Sequence, residues 1–103
     1  MLLCELTMYP TDKGVSVSPY VARILAIIDS SGLAYQLTPM ATILEGSWEQ
    51  VMEVSTACFR ELEKDCDRIS VAMKIDYRSG TEKRLHSKVK RVEELLGRTL
   101  SKG

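Results

Sequence analysis

Residues 33–50 read LAYQLTPMATILEGSWEQ, and the order of signals inside this stretch decides the fold. Leu33 to Thr38 and Ala41 to Glu45 have the apolar, aromatic and β-branched content of strands. Pro39-Met40 joins them by so short a connection that the pair is expected to be an antiparallel hairpin. The pattern leaves the register of that hairpin open. Gly46 breaks the run, and Ser47-Trp48-Glu49-Gln50 has the form of a capping box, in which Ser47 and Gln50 satisfy each other's free amides at a helix start.

Working outward, Leu2 to Tyr9 alternates with the period of a half-buried strand, placing Leu2, Cys4, Leu6 and Met8 on one face, and Pro10 ends it. Ser18 is expected as the N-cap of a helix that opens on Pro19. Its apolar stripe is Val21, Ile24, Leu25 and Ile28, and Gly32 supplies the left-handed stop. After the capping box, the second helix turns Val51, Met52, Ser55, Cys58, Phe59 and Leu62 inward. Arg68 to Tyr77 is a further strand with Ile69, Val71, Met73 and Ile75 on one face. Ser79-Gly80-Thr81 turns the chain into a last amphipathic helix, expected from about Glu82, with Leu85, Val89, Val92, Leu96 and Leu100 as its stripe.

The order β-α-β-β-α-β plus one helix predicts an α+β fold, a ferredoxin-like βαββαβ sandwich with an added C-terminal helix, over residues 1–103 as a single domain. Two helices cover one face of the sheet. The other face carries, by alternation, Glu5, Thr7, Tyr9, Gln36, Thr38, Ser70, Ala72 and Lys74. Such a face must be solvated, covered by the extra helix or buried against another copy, and a second copy is the expectation.

Composition narrows the function classes. Hydrophobic residues make up 45% and charged residues 27%, the balance of a globular chain. No apolar run is long enough to cross a bilayer and the first residues lack a basic signal region, so a cytoplasmic protein without membrane contact is expected. Cys4, Cys58 and Cys66 form no CxxC pair, which suggests idle thiols rather than a disulfide framework or a zinc site. Net charge is zero, without the basic excess of a general nucleic-acid binder. Seven acids between Glu45 and Asp67 nevertheless face seven bases between Lys83 and Lys102 in sign, a complementarity open to neighbouring helices, to a subunit contact or to plain solvated faces.

Catalytic constellations are sparse. His86 has no partners at a triad or metal spacing, and no phosphate-cradling glycine motif occurs, so no metal and no cofactor is expected. Phe59 is the only phenylalanine and falls on a helix, unlike the base-stacking aromatics of an RNA-recognition module. The first loop holds Lys13 but no arginine, unlike an acylphosphatase. Glu5 and Lys74 could pair on the open face as acid and base, yet a structural ion pair explains them as well. What remains is Ser16, Ser18, Tyr20, Thr38, Met40, Thr42, Glu45 and Trp48, gathered in or beside the strand-to-helix turns. Ser18 and Ser47 also read as caps, Trp48 as a packing staple or a stacking ring, and Glu45 either as a helix-dipole partner or as a ligand for a cation or amino group.

These residues, in this order, resemble the thiamine-binding protein family related to YkoF. The resemblance runs over nearly the whole chain and is carried by Gly14 to Val21, by Tyr35 to Met52 and by Met73 to Arg78. It implies a ferredoxin-like fold, sheet-to-sheet homodimers that pair into homotetramers, and non-catalytic binding of thiamine or its hydroxymethylpyrimidine moiety. Carried over position by position, the implied ligand-binding residues are Ser16, Ser18, Thr38, Thr42 and Glu45. Ala41 departs from the family's usual glycine and narrows backbone approach there. An oligomeric regulatory module sensing a different small metabolite is the alternative.

Overall fold

In the computed structural model, which describes residues 1–102, seven elements follow in order: β1 (Leu2–Pro10), α1 (Ser18–Ser30), β2 (Ala34–Leu37), β3 (Thr42–Gly46), α2 (Trp48–Glu63), β4 (Ile69–Tyr77) and α3 (Ser87–Leu96). The strands form one antiparallel sheet ordered β2-β3-β1-β4, as two interleaved split βαβ units require. This is the ferredoxin-like α+β arrangement expected from the order of elements. The hairpin register is Ala34 opposite Glu45 through Leu37 opposite Thr42.

Alternation sets the two faces. Leu2, Cys4, Leu6 and Met8 of β1 and Leu44 of β3 point to the helices, where Ile24, Ile28, Val51, Cys58 and Leu62 close the core over them. Removing these apolar side chains from water is the principal favourable term in the fold. Burial pushes the Cys58 thiol up to about 11, so it stays protonated and packs as a small apolar side chain. The helices lie over β1 and β3 rather than over the edge strand β4. Val71 and Met73 therefore point inward by register yet remain 44% and 36% exposed.

The ends of the helices show where local chemistry decides. The capping box forms as expected, with Ser47 Oγ accepting from the Gln50 amide at 3.1 Å and Gln50 Oε1 from the Ser47 amide at 3.0 Å. Ser18, by contrast, is the first residue of α1, and Val17 occupies the N-cap position without any side-chain cap. Pro19 lies in that first turn and has no N–H, so one fewer donor calls for a cap, while the Tyr20 and Val21 amides both reach the Val17 carbonyl. Arg23 ties α1 to α2 through Glu61 at 3.2 Å and Asp65 at 3.0 Å, and its guanidinium is the main cause holding the Asp65 carboxyl below its ordinary range.

The largest departure is at the C-terminal side. The last helix begins at Ser87 rather than near Glu82, because residues 84 and 85 are pinned to the sheet first. Glu45 accepts hydrogen bonds from the Arg84 and Leu85 amides, and the Arg84 guanidinium donates to the side chain and the carbonyl of Asp76, each at 2.9 Å. The helix can form only beyond these anchors. Within α3 no residue is buried, and Val92 is 47% exposed in the middle of the apolar stripe. Since α2 lies on the covered face while the segment leading to α3 is anchored on the other, no ion pair among the described residues joins the acidic stretch to the basic one.

Candidate functional site

The hairpin between β2 and β3 turns on two residues, Pro39 and Met40. Thr38 locks the turn three times: its amide donates to the Ala41 carbonyl at 2.9 Å, its hydroxyl donates to the same carbonyl at 2.7 Å, and the hydroxyl oxygen accepts from the Ala41 amide at 3.1 Å. Because the chain reverses there, β3 pairs with β1 only from Leu2 to Leu6, whereas β4 accompanies β1 as far as Pro10. A gap is left beside Thr7, Met8 and Tyr9, and the first turns of α1 lie over it.

The gap is a cavity of about 150 Å³. Its walls are largely apolar, with Val17, Val21 and Leu25 from the α1 side, Leu6 from β1 and Leu37 from the hairpin. Two threonines supply polarity. The Thr38 hydroxyl has committed its proton and one lone pair to the turn, which leaves it able to accept one more hydrogen bond. Thr42 is only 6% exposed, lines the same cavity, and its hydroxyl has no hydrogen-bond partner among the described residues. That hydroxyl can donate one bond and accept two.

Of the five residues singled out by sequence, Thr38 and Thr42 thus share one cavity. Ser16 and Ser18 are exposed and flank Val17 at its rim. Glu45 is elsewhere: three positions beyond Thr42, it points to the opposite face of the sheet, is 4% exposed and holds the Arg84 and Leu85 amides. Trp48 is exposed at the start of α2 and does not line the cavity. Glu5 and Lys74 stand directly opposite each other across β1 and β4, with no ion pair between them. The wall contributed by Val17 and Met8 was not anticipated from sequence, and the only hint of it was that the first strand is longer than the third. Among the described residues, no three or more His, Cys, Asp or Glu side chains converge as metal ligands, and no helix is long and apolar enough to cross a membrane.

Comparison with known proteins agrees with this architecture. The model of the thiamine-binding protein family matches residues 4–93. The UPF0045 protein MJ1052 of Methanocaldococcus jannaschii is 29% identical over 94 residues, spanning 91% of this chain and 94% of that protein. A UPF0045 protein encoded in the glkA 3' region of Staphylococcus xylosus is 35% identical over 102 residues, spanning 93% and 95%. Among solved structures, the crystal structure of MJ1052 superposes with a TM-score of 0.82 at 28% identity over 90% of this chain and 96% of that one. TM0486 of Thermotoga maritima, a proposed thiamine biosynthesis/salvage protein, superposes with a TM-score of 0.77 at 24% identity, over 88% and 97%, and so shares the fold.

Proposed function

Because the chain belongs to the thiamine-binding protein family, we propose that it binds thiamine, or the hydroxymethylpyrimidine part of it, in the cavity between α1 and the β2–β3 hairpin, and that it does so without catalysis. The observation that carries this reading is the Thr42 hydroxyl, nearly buried, unpartnered and facing an apolar cavity. The Thr42 hydroxyl is reached from the cavity, unlike the fully buried and unpartnered Ser55 hydroxyl, so a ligand atom can pair with it for about 0.5–1.5 kcal/mol. Size supports the same assignment. At about 150 Å³ the cavity falls below the roughly 300–1,000 Å³ typical of sites that enclose a drug-sized ligand, so it suits a single ring. The rest of a thiamine molecule would extend past the exposed Met40, with Ser16 and Ser18 at the rim.

Titration calorimetry with thiamine and with free hydroxymethylpyrimidine tests the assignment. Thr42→Val keeps the side-chain shape and removes the hydroxyl, and it should weaken binding about tenfold, the equivalent of one hydrogen bond of about 1.4 kcal/mol. Equal affinity of both proteins would take Thr42 out of the site, and absence of binding to the wild type would remove the thiamine assignment.

The protein acts in this reading as a homodimer or homotetramer formed through the open sheet face. Support comes from Val89, Val92 and Leu96, exposed apolar side chains of α3, a helix without a buried residue, because exposed apolar surface marks an association site. Sedimentation equilibrium at micromolar concentration should return at least twice the single-chain mass of 11.6 kDa, and a species of 11.6 kDa alone would count against the assembly.

A further inference from the structure

Backbone parity along β1 reveals a donor and acceptor that the sheet leaves unused. The Met1 carbonyl accepts from the Arg78 amide at 3.1 Å and the Thr11 amide donates to the Arg68 carbonyl at 2.8 Å, in the same unbroken register that pairs β1 with β4. Odd-numbered residues of β1 therefore direct their N–H and C=O groups to β4, and even-numbered ones direct theirs to β3. Leu6 opposite Thr42 is the last such pair with β3. Continuing the register would set Met40 opposite Met8, but Met40 lies in the two-residue turn and forms no part of the ladder. The N–H and C=O of Met8 thus point together into the cavity with no partner among the described residues.

We propose that Met8 reads the edge of an aminopyrimidine through its backbone, its N–H donating to a ring nitrogen and its C=O accepting from the amino group next to that nitrogen. The inference rests on the pyrimidine-binding reading above and specifies how the ring is recognised. In an antiparallel ladder the N–H and C=O of one residue bond the C=O and N–H of its opposite partner, so they are spaced for an acceptor beside a donor. A ring nitrogen flanked by an amino group offers that pair, and the ring replaces the missing strand residue. Thr42, whose side chain enters the same cavity, is left to bond a third position on the ring. Met8 is 6% exposed, and the backbone groups of such residues are nearly always paired with protein, water or ligand, so the pair offers an occupant of the cavity a ready contact.

The test removes the single donor. Met8 is replaced by its α-hydroxy acid analogue, which changes the peptide N–H to an ester oxygen and keeps the buried side chain. Calorimetry then compares 4-amino-5-hydroxymethyl-2-methylpyrimidine with the same ring lacking the 4-amino group. The amino compound should bind the ester protein about three- to tenfold more weakly than wild type, and wild type should prefer the amino compound by a similar factor, each the loss of about one hydrogen bond. Should the ester protein fail to fold, the wild-type Met8 amide resonance provides a second readout, and it should shift downfield with the amino compound. Unchanged affinity of the ester protein, or an unmoved Met8 resonance on saturation, overturns the inference. If Thr42→Val still weakens binding in that case, the pyrimidine site stands and only the backbone contact falls. If neither compound binds the wild type, both readings fall.

Discussion

Leu44→Ala is expected to cost about 2–5 kcal/mol of global stability, the range for deleting a fully buried leucine side chain. Leu44 has no exposure, lies opposite Cys4 on β1 and Tyr35 on β2, and joins the core that α1 and α2 close. The cavity left behind is hemmed in by three elements at once, so little relaxation can fill it. For a chain of this length the melting temperature should fall on the order of 10 °C or more, read by calorimetry as one transition moved to lower temperature. A shift within about 1–2 °C would show that the centre of the sheet is not where the stability resides.

Glu45→Ala, one residue further on, is expected to act differently. Glu45 faces the other side of the sheet and holds two amides of the segment that leads to α3. Hydrogen bonds to a charged group are worth about 1.5–3 kcal/mol each, so roughly 2 kcal/mol or more of local stability should go. Because α3 has no buried residue of its own, the loss should appear as release of residues 84–96 while the sheet and core remain folded. Amide exchange in that segment should accelerate by roughly 30-fold or more, with the core amides nearly unchanged. Glu45→Gln keeps an acceptor oxygen and should fall between. Unaltered exchange together with weaker thiamine binding would return Glu45 to the ligand site.

These two neighbours also show how far the molecule can be read from its residues. Periodicity was enough for β1, for the inward faces of the helices and for the capping box, because each depends on groups within a few positions of one another. The position of α3 was not legible in the same way. Its start depends on Glu45 reaching the Arg84 and Leu85 amides across the fold, a contact that no local spacing encodes. Proximity of Glu45 to the start of α2 suggested a dipole partner or a ligand contact, whereas the register sends its carboxylate to the open face. Ser18 failed as a cap by a single residue, with Val17 in its place, since a proline in the first turn reduces the demand for capping. Thr38 and Thr42 are singled out by residue type and resemblance, but the cavity they share exists because β3 stops short of the end of β1, which only the paired register reveals.

The order of strands also governs how the chain reaches this structure. β1 is synthesised before the other six elements and is a central strand of the sheet, yet its partner on one side begins at Thr42 and on the other runs to Tyr77, which sits opposite Leu2. Its hydrogen-bonding edges and apolar face must therefore wait until most of the chain has emerged from the ribosome. Such distant pairings are reached late and slowly, because the entropy of closing long loops is lost before the contacts repay it. The hairpin and α2 can form early from local signals, so the growing chain is expected to hold β2, β3 and α2 as its first organised unit. In the interval the unpaired β1 segment is the part of the nascent protein most exposed to association with other chains.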